Sequence, residues 1–387
     1  MRRNLFDLVV VGGSFSGLAC ARTAALRGLK VAVIDSKPEP GARVRTTGIL
    51  VKEATDDCDL PASLMRKIRG VRLYTPDERA LDLSAPNYFF HATDTAELMR
   101  WMAAEAQLAG AMMLYGHRFE GAQENADRIV LPSSGLETRF LIGADGARSR
   151  VASFFKLGQN QHFLAGLEIE CEPIASVDAR FLHCFADNDI APGYIGWVVP
   201  GTGVTQIGAA ATRGRKPELA ALIARAKTLW GVDELRIVER RSGLIPSGGP
   251  VSQLGRGRVM LIGDAAGLVS PVTGGGIHTA LHFGRRAAQL VSDYLLDQGP
   301  RPLSIFEREI PRYRLKRALR RAFDMAPSNA LINATLMTSP MRALAQRLYF
   351  HRRGGDPASF DAWTQAFEKD EITPLPPNAP PPELRCI

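Results

Sequence analysis

A glycine-containing turn near the N-terminus has the residue types and the spacing of a phosphate-binding loop. It reads Gly12-Gly13-Ser14-Phe15-Ser16-Gly17. Gly12 would allow a tight turn out of a strand, Gly17 would let the next helix pack closely, and that helix would point free N–H groups at a pyrophosphate. Asp35 follows 18 residues after Gly17, where a carboxylate can accept hydrogen bonds from a ribose. The block therefore predicts a bound dinucleotide, although it does not separate FAD from NAD.

One position departs from the usual GxGxxG pattern, because Ser14 stands in place of the middle glycine. Its side chain is small enough to permit close approach, and its hydroxyl could donate to a phosphate. The alternative is a glycine-rich turn with no ligand. The ordered succession of strand, turn, helix, strand and acid disfavours that alternative.

Two later blocks carry glycine turns of a related kind. Residues 142–151 contain Asp145-Gly146, and residues 259–277 contain Gly263-Asp264 followed by Gly274-Gly275-Gly276. Asp264 could accept a hydrogen bond from a ribityl or ribose hydroxyl. The glycine run precedes a long predicted helix, whose N-terminus would stabilise negative charge on a reduced flavin. Asp-Gly is also a common turn pair, so a capped turn is the alternative for Asp145.

With these three blocks in this order and spacing, the sequence resembles the p-hydroxybenzoate hydroxylase-like FAD-dependent oxidoreductase superfamily. The third block is most similar to the geranylgeranyl reductase-like family, and the resemblance covers residues 5 to about 300. It implies an α/β fold: a glutathione-reductase-type Rossmann FAD-binding domain with an inserted antiparallel β-sheet substrate domain and a helical C-terminal region. It also implies FAD as the cofactor, with NAD(P)H or another electron donor.

The resemblance further implies a set of cofactor-binding residues. They are Gly12, Ser14, Phe15, Ser16, Gly17, Asp35, Ser36, Arg43, Arg45, Asp145, Gly263, Asp264, Pro271, Gly275, Gly276 and Ile277. Gly276 and Ile277 would contact the isoalloxazine, and Pro271 would shape its edge. Arg45 and Arg43 belong to a stretch that resembles the hydroxylase segment beside the flavin. That stretch lacks the cysteine that reductases often carry there, which argues against a cysteine-dependent mechanism.

The best indication of the chemistry lies in residues 192–200, which read Pro-Gly-Tyr-Ile-Gly-Trp-Val-Val-Pro. They resemble the Tyr-x-Trp-x-x-Pro stretch of geranylgeranyl reductases, but with two residues between Tyr194 and Trp197 instead of one. A Tyr/Trp pair beside a flavin can wall an apolar slot for a prenyl chain, so both are candidate substrate-binding residues. The alternative is that both are ordinary core aromatics of a sheet.

Other polar side chains give no catalytic assignment. His278 and His282 are spaced i, i+4, but no third ligand accompanies them, so no metal site is predicted. The five cysteines form no CxxC pair, and their scatter suits a reducing cytosol. No proton donor emerges from the sequence, and the catalytic residues stay unassigned.

The charge of the chain leaves two interpretations open. The net charge is +8, and residues 312–321 form a basic run with helical apolar spacing. This helix is either a solvated face packed on the flavin domain or a docking surface for anionic lipid or a prenyl diphosphate. No apolar run reaches the roughly 18 residues that span a bilayer. We therefore expect a cytoplasmic protein, with peripheral membrane contact as an open alternative, and no nucleic-acid partner.

The elements that must position these side chains follow from the apolar periodicity. Strands are predicted at 5–11, 30–35 and 259–262, helices at 17–28, 94–110 and 277–296, and paired strands at 71–74 with 79–83 and at 197–199 with 204–207. The FAD-binding domain would comprise 1–69, 92–155 and 256–300, and the antiparallel-sheet substrate domain 70–91 and 156–255. A helical region would cover 301–372, followed by a proline-rich tail at 373–387.

The activity that the resemblance implies is reduction of C=C bonds in a hydrophobic, isoprenoid-type substrate by hydride transfer from reduced flavin. Isolated alkenes accept hydride poorly, so an apolar slot would have to align the bond with the flavin. The alternative is an FAD-dependent NAD(P)H monooxygenase that hydroxylates an aromatic or lipid-like substrate. A non-catalytic flavin scaffold is disfavoured because the flavin loops are so complete.

Overall fold

The computed structural model describes residues 4–325 and 327–350. The predicted proline-rich tail at 373–387, and residues 351–372 of the predicted helical region, lie outside these ranges. The described residues form three β-sheets and ten α-helices.

The strands follow one another in chain order as β1 to β18. They are β1 Asn4–Val11, β2 Val31–Asp35, β3 Ile49–Val51, β4 Met65–Ile68, β5 Gly70–Tyr74, β6 Ala80–Ser84, β7 Phe90–Thr93, β8 Met112–Tyr115, β9 Gln123–Glu124, β10 Ile129–Leu131, β11 Leu136–Gly143, β12 Phe163–Cys171, β13 Phe181–Phe185, β14 Gly196–Pro200, β15 Thr205–Thr212, β16 Ile237–Pro246, β17 Gly255–Arg256 and β18 Val259–Leu261.

The α-helices are numbered in the same way. They are α1 Phe15–Leu26, α2 Lys52–Asp56, α3 Thr95–Leu108, α4 Arg150–Phe154, α5 Leu219–Trp230, α6 Ile277–Leu295, α7 Pro302–Glu309, α8 Arg314–Asp324, α9 Asn329–Thr335 and α10 Ser339–Phe350. Short 3₁₀ turns lie at Ala62–Leu64, Pro132–Ser134 and Gly263–Ala266.

The eight-stranded sheet brings the three glycine blocks to one edge. Its main path runs β17-β18-β11-β1-β2-β8, with β10 and β9 attached beside β11. The pairings from β18 to β8 are parallel. Parallel strands end at the same edge of a sheet. The turns that follow the neighbouring strands β1, β11 and β18 therefore lie side by side, and these turns are the three blocks.

The seven-stranded sheet runs β16-β12-β15-β14-β13-β5-β6. It is antiparallel except for the parallel pair of β13 and β5. Its strands come from residues 70–84 and 163–246. A separate three-stranded sheet, β3-β7-β4, was not anticipated, and its strand β7 spans the predicted domain boundary at residues 91 and 92. The predicted fold class is confirmed, whereas the domain boundaries stay a prediction.

The C-terminal region is helical, as predicted, and proline residues divide it into separate helices. Pro311 follows the end of α7, and Ile310 before it is extended, with ψ 144°. A residue that precedes proline avoids the α conformation, so the helix ends there. Pro327 and Pro340 stand between α8 and α9 and within the first turn of α10. The result is four helices. Helix α7 packs on α6, where Phe306 lies against Phe283. Helix α10 packs on the seven-stranded sheet, and its Gln346 donates to the Ser84 carbonyl of β6 at 2.5 Å.

Candidate active site

A cavity of about 1570 Å³ lies between the glycine turns, one face of the seven-stranded sheet and helices α8–α10. Its polar end is lined by the turns after β1, β2, β11 and β18 and by residues 45–49. Its apolar end is lined by side chains from both the sheet and the C-terminal helices. These are Leu73, Leu182, Ile195, Val199, Ile332, Leu336, Met341, Leu344 and Leu348.

The first glycine turn is shaped by close backbone approach. Gly12 has φ +109°, and a Cβ there would lie 2.3 Å from the Ala144 carbonyl oxygen. A Cβ on Gly17 would lie 1.8 Å from the Gly12 carbonyl oxygen. Neither position tolerates a side chain without moving backbone. Asp35 fixes the turn from the side, because its Oδ2 accepts from the Gly13 N–H at 2.7 Å.

The third glycine block contacts the first block directly, and a side-chain amide connects the second block to the third. Gly263 has φ +57°, and a Cβ there would lie 2.5 Å from Ser16 Oγ. Asn160 Nδ2 donates to the carbonyl oxygens of Ala147 at 3.0 Å and of Asp264 at 2.8 Å. An amide side chain thus ties two glycine turns that are more than a hundred residues apart in sequence.

Asp145 both lines the cavity and caps a helix. It accepts from Ser149 Oγ at 2.6 Å and from the backbone N–H groups of Arg150 and Val151 at 2.6 and 3.1 Å. Burial raises the pKa of Asp145, against the lowering effect of these hydrogen bonds. The capped turn considered as an alternative is present, and it places the carboxyl on the cavity wall.

The glycine run before α6 forms a cradle in which Gly274 excludes a side chain and Gly276 leaves little room for one. A Cβ on Gly274, which has φ +64°, would lie 2.6 Å from Tyr194 Oη. A Cβ on Gly276 would lie 3.1 Å from Val269 Cγ2 and 3.4 Å from Asp264 Oδ1. Gly276 is the N-cap of the 19-residue helix α6 and makes no side-chain cap. The helix N-terminus therefore presents backbone N–H groups and a positive dipole end to the cavity.

These turns fit an FAD molecule, because a pyrophosphate needs a glycine turn at a helix N-terminus and a flat ring needs a wall without Cβ atoms. A model of the FAD binding domain family matches residues 6–295. The chain belongs to this family. The flavoprotein resemblance drawn from the three glycine blocks is confirmed, and the protein is an FAD-dependent oxidoreductase.

The chain is similar in sequence and in structure to several proteins named as geranylgeranyl or digeranylgeranyl reductases or as reductase-like. A geranylgeranyl diphosphate reductase of Rhodobacter capsulatus is 29% identical over 312 residues, covering 78% of this chain and 78% of that protein. A digeranylgeranylglycerophospholipid reductase of Methanothrix thermoacetophila is 28% identical over 330 residues, covering 78% and 82%. The structure of a geranylgeranyl bacteriochlorophyll reductase-like protein from Thermoplasma acidophilum superposes with a TM-score of 0.77 at 22% identity, over 93% of this chain and 99% of that one.

Most of the predicted cofactor-binding residues line the cavity of this flavoprotein. They are Gly12, Ser14, Phe15, Ser16, Asp35, Ser36, Arg45, Asp145, Asp264, Gly275, Gly276 and Ile277. Gly17 and Gly263 support the turns from behind. Arg43 lies exposed with φ +50°, and Pro271 is buried; neither lines the cavity. Their roles toward FAD stay predictions, as do those of the lining residues.

The two predicted substrate-binding aromatics both line the cavity, but in different ways. Tyr194 lies against the glycine cradle, and the guanidinium carbon of Arg320 is 5.8 Å from its ring centroid. Burial raises the pKa of Tyr194, so its hydroxyl stays protonated at neutral pH. Trp197 is anchored by its indole N–H, which donates to Glu168 Oε2 at 2.8 Å.

Glu168 is a cavity residue that the sequence interpretation did not select. It belongs to the alternating run Leu167-Glu168-Ile169-Glu170-Cys171, whose polar positions would ordinarily face solvent. In the fold that face of β12 looks into the cavity, and Glu168 is only 5% exposed. The signal that could have found it was a pair of acidic residues on one face of an otherwise apolar strand.

Proposed function

We propose that this FAD-dependent oxidoreductase reduces C=C bonds of a long, hydrophobic, isoprenoid-type substrate. The observation that carries the proposal is the continuity of one cavity from the glycine cradle to an apolar end walled by the sheet and by α9 and α10. An extended prenyl chain could lie along these walls with one double bond at the cradle. The names of the similar proteins, which refer to geranylgeranyl groups, support the same substrate class.

The chain's own residues would contribute positioning and exclusion of water. When bound, reduced FAD supplies the hydride. Apolar side chains remove water from around the alkene, and Tyr194 and Trp197 restrict where the chain can lie beside the cradle. An electron donor must reduce the flavin between turnovers, and NAD(P)H is the first candidate.

Peripheral contact with a membrane is the second part of the proposal. Within residues 4–325 and 327–350, no helix has both the length and the apolar character needed to cross a bilayer. Helix α8 lines the cavity with Arg320 and Phe323, while Leu315 and Met325 are 67% and 76% exposed. A substrate with long apolar chains resides in a bilayer, so an apolar and basic helix at the cavity wall would be the natural point of contact.

The test is anaerobic turnover by the FAD-loaded protein. Geranylgeranyl diphosphate and digeranylgeranylglycerophospholipid in micelles are supplied separately, with NADH, NADPH or dithionite as reductant. We expect mass spectrometry to show the gain of two hydrogen atoms for each reduced double bond. Trp197→Phe should alter the KM, whereas Trp230→Phe, which removes a tryptophan packed on His183 away from the cavity, should not.

A different result would favour the alternative activity. If neither substrate is reduced anaerobically, and if the NADPH-reduced protein instead incorporates ¹⁸O from O₂ into an aromatic or lipid-like product, the protein is a monooxygenase and the reductase proposal is wrong.

A further inference from the structure

The loop formed by residues 45–48 (the 45–48 loop) lies at the polar end of the cavity. On one side of this loop, Thr93 of β7 donates to the Gly48 carbonyl oxygen from its backbone N–H at 3.1 Å and from its hydroxyl at 2.9 Å. A Cβ on Gly48 would lie 1.8 Å from Thr95 Oγ1, so the loop fits closely against the first residue of α3. The three-stranded sheet and α3 therefore fix this side of the loop.

The seven-stranded sheet holds the opposite side of the 45–48 loop. Thr47 Oγ1 donates to Glu168 Oε2 of β12 at 2.5 Å, and Gln206 Nε2 of β15 donates to the Thr47 carbonyl oxygen at 2.9 Å. A Cβ on Gly243 of β16 would lie 3.0 Å from a carbonyl oxygen of the loop, so glycine leaves the space that the loop backbone occupies. Three neighbouring strands of the sheet thus contact the loop.

Glu168 Oε2 also holds the part of the cavity wall that Trp197 forms. The Trp197 indole N–H donates to this oxygen at 2.8 Å. Gly208 lies between Glu168 and Trp197 in the register of the sheet, and a Cβ there would lie 2.5 Å from the indole ring. The ring reaches the carboxyl because residue 208 has no side chain. One oxygen atom therefore joins the 45–48 loop to the cavity wall.

Buried neighbours keep the Glu168 carboxyl in place. Gln206 Nε2 donates to Glu170 Oε1 at 2.9 Å, and Arg241 Nη1 lies 2.7 Å from Glu170 Oε1 and 3.7 Å from Glu168 Oε1. All four of these side chains are buried. Moving the Glu168 carboxyl would leave the donors to its Oε2 without an acceptor, which is costly away from water. The carboxyl is therefore a fixed point between the loop and the wall.

We propose that Glu168 is a positioning residue, which holds the 45–48 loop and Trp197 at a fixed separation and so sets the gap in which the substrate double bond lies beside the flavin. This inference rests on the proposed function. Glu168 acts through Thr47 and Trp197, both of which line the cavity. A misplacement of the reacting atoms by about 1 Å can cost roughly 100-fold in rate. Loss of the link should therefore slow the reaction more than it weakens binding of the apolar chain.

The first experiment removes each donor to Glu168 separately and then both together. Thr47→Val replaces the hydroxyl by a methyl group at nearly equal volume, and Trp197→Phe removes the indole N–H. With dithionite and geranylgeranyl diphosphate, each should lower kcat about 10-fold or more at unchanged flavin content. The double variant should lose about as much as a single one, because the second change breaks a link that is already broken. Effects that multiply overturn the proposal.

Thr47→Ser is the matched control, because serine keeps the hydroxyl that donates to Glu168. Its kcat should stay close to that of the wild-type protein, and an equal loss in Thr47→Ser and Thr47→Val contradicts the proposal. Trp230→Phe, which changes a tryptophan packed on His183, should leave kcat unchanged.

Gly208→Ala tests the same link from outside the cavity, since Gly208 does not line it. An alanine Cβ would push the Trp197 ring away from Glu168, so kcat should fall about as much as in Trp197→Phe. A wild-type kcat in Gly208→Ala means that the contact between the indole and the carboxyl does not position the wall.

Two variants of Glu168 itself separate the role of an acceptor from the role of a charge or a proton. Glu168→Gln keeps an oxygen that can accept from Thr47 and Trp197, whereas Glu168→Leu keeps only the approximate volume. We expect Glu168→Gln to retain clearly more activity than Glu168→Leu, and equal losses overturn the proposal. The variants of Thr47 and Gly208 test the link even if Glu168→Leu does not fold.

A spectroscopic experiment detects the link without turnover. In the oxidised, FAD-loaded protein labelled with ¹⁵N-tryptophan, the indole N–H resonance of Trp197 is the one that Trp197→Phe removes. It should move in Thr47→Val and in Gly208→Ala and keep its position in Thr47→Ser, with the Trp230 resonance as the internal reference. A Trp197 resonance that is unchanged in both Thr47→Val and Gly208→Ala contradicts the proposal.

The proposed function and the positioning role would fail in different ways. If the wild-type protein reduces neither isoprenoid substrate while the Trp197 resonance responds as expected, the proposed function is wrong and the link between loop and wall stands. If the wild-type protein reduces a substrate but the effects of Thr47→Val and Trp197→Phe multiply, the positioning role is wrong and the proposed function stands.

Discussion

Asp264 illustrates how a single side chain joins the cofactor turn to the flavin cradle. Its backbone carbonyl accepts from Asn160, and its Oδ1 lies 3.4 Å from the place where a Cβ of Gly276 would be. Desolvation raises the pKa of Asp264 to about 6. The carboxyl is thus ionised above about pH 6, when it accepts hydrogen bonds most strongly, and neutral below it.

We expect Asp264→Ala to purify without most of its flavin, because a hydroxyl of FAD would lose its acceptor. Asp264→Asn should retain part of it, since one carbonyl oxygen remains. In the wild-type protein, FAD retention should fall as pH drops through about 6, where Asp264 gains its proton. The measurement is the ratio of flavin absorbance to protein concentration after gel filtration, taken for both variants and for the wild-type protein as a function of pH.

Asp293→Asn, a change near the far end of α6, is the control for Asp264 and should keep full flavin content. Full flavin content in Asp264→Ala would mean that this residue does not hold FAD. A pH step equally large in Asp264→Asn would assign the titration to another group.

Helix α8 has one side that is buried against the rest of the protein and one side that is exposed to solvent. On its inner side Arg320 is 3% exposed, donates to the Gly193 carbonyl and pairs with Asp324 at 2.9 Å. On its outer side Arg314, Arg317 and Arg321 are exposed at helical spacing, next to exposed apolar positions. The apolar positions are Leu315, Ala318, Ala322 and Met325. The helical spacing of these residues is sufficient to separate the buried face from the exposed basic face.

Reversal of charge on α8 should weaken binding to anionic vesicles. Each basic residue near an anionic surface contributes about 1 kcal/mol, so Arg314→Glu with Arg317→Glu should reduce binding at least about 10-fold. Co-sedimentation with phosphatidylglycerol-containing vesicles measures this, and pure phosphatidylcholine vesicles should bind little. The matched control reverses Arg213 and Arg236, which are exposed elsewhere. Equal loss in both double variants would indicate a general charge effect and not a docking helix.

At the scale of the whole molecule, the cavity belongs to no single segment. Ligand pockets usually measure roughly 300–1,000 Å³, so 1570 Å³ accommodates a cofactor and a second molecule. The glycine turns enclose one end. The other end lies under α10, which packs on β6 at the edge of the seven-stranded sheet opposite β16. Substrate length would therefore be measured along the sheet, from the cradle toward α10.

A bulky residue under α10 should shorten the usable cavity. We expect Leu344→Trp to raise the KM for geranylgeranyl diphosphate about 10-fold or more, because the far end of the chain meets the indole. The shorter geranyl diphosphate and the flavin content should be unaffected. Leu229→Trp, at a position 41% exposed on α5, is the control. An equal effect on both chain lengths would mean that the prenyl chain does not extend toward α10.

The glycine turns and their acids could be predicted from sequence because their requirement is local. A positive φ at Gly12, or a backbone approach that excludes a Cβ at Gly17, restricts the residue at that position whatever the rest of the chain does. Strand endings are local too, so the pattern also predicted that Asp35 ends one strand and that Gly263-Asp264 follows another directly.

Only the tertiary structure decided what faces Glu168. The alternation of β12 determines that residues 168 and 170 share a face, but not that the face is closed by the loop of Thr47 and by the C-terminal helices. The Trp197 indole reaches the carboxyl only because Gly208 stands between them on another strand. Periodicity specifies which side a residue takes, whereas its partners come from segments far away in sequence. The cofactor was therefore predictable from the chain alone, and the contacts of Glu168 with Thr47 and Trp197 became visible only in the fold.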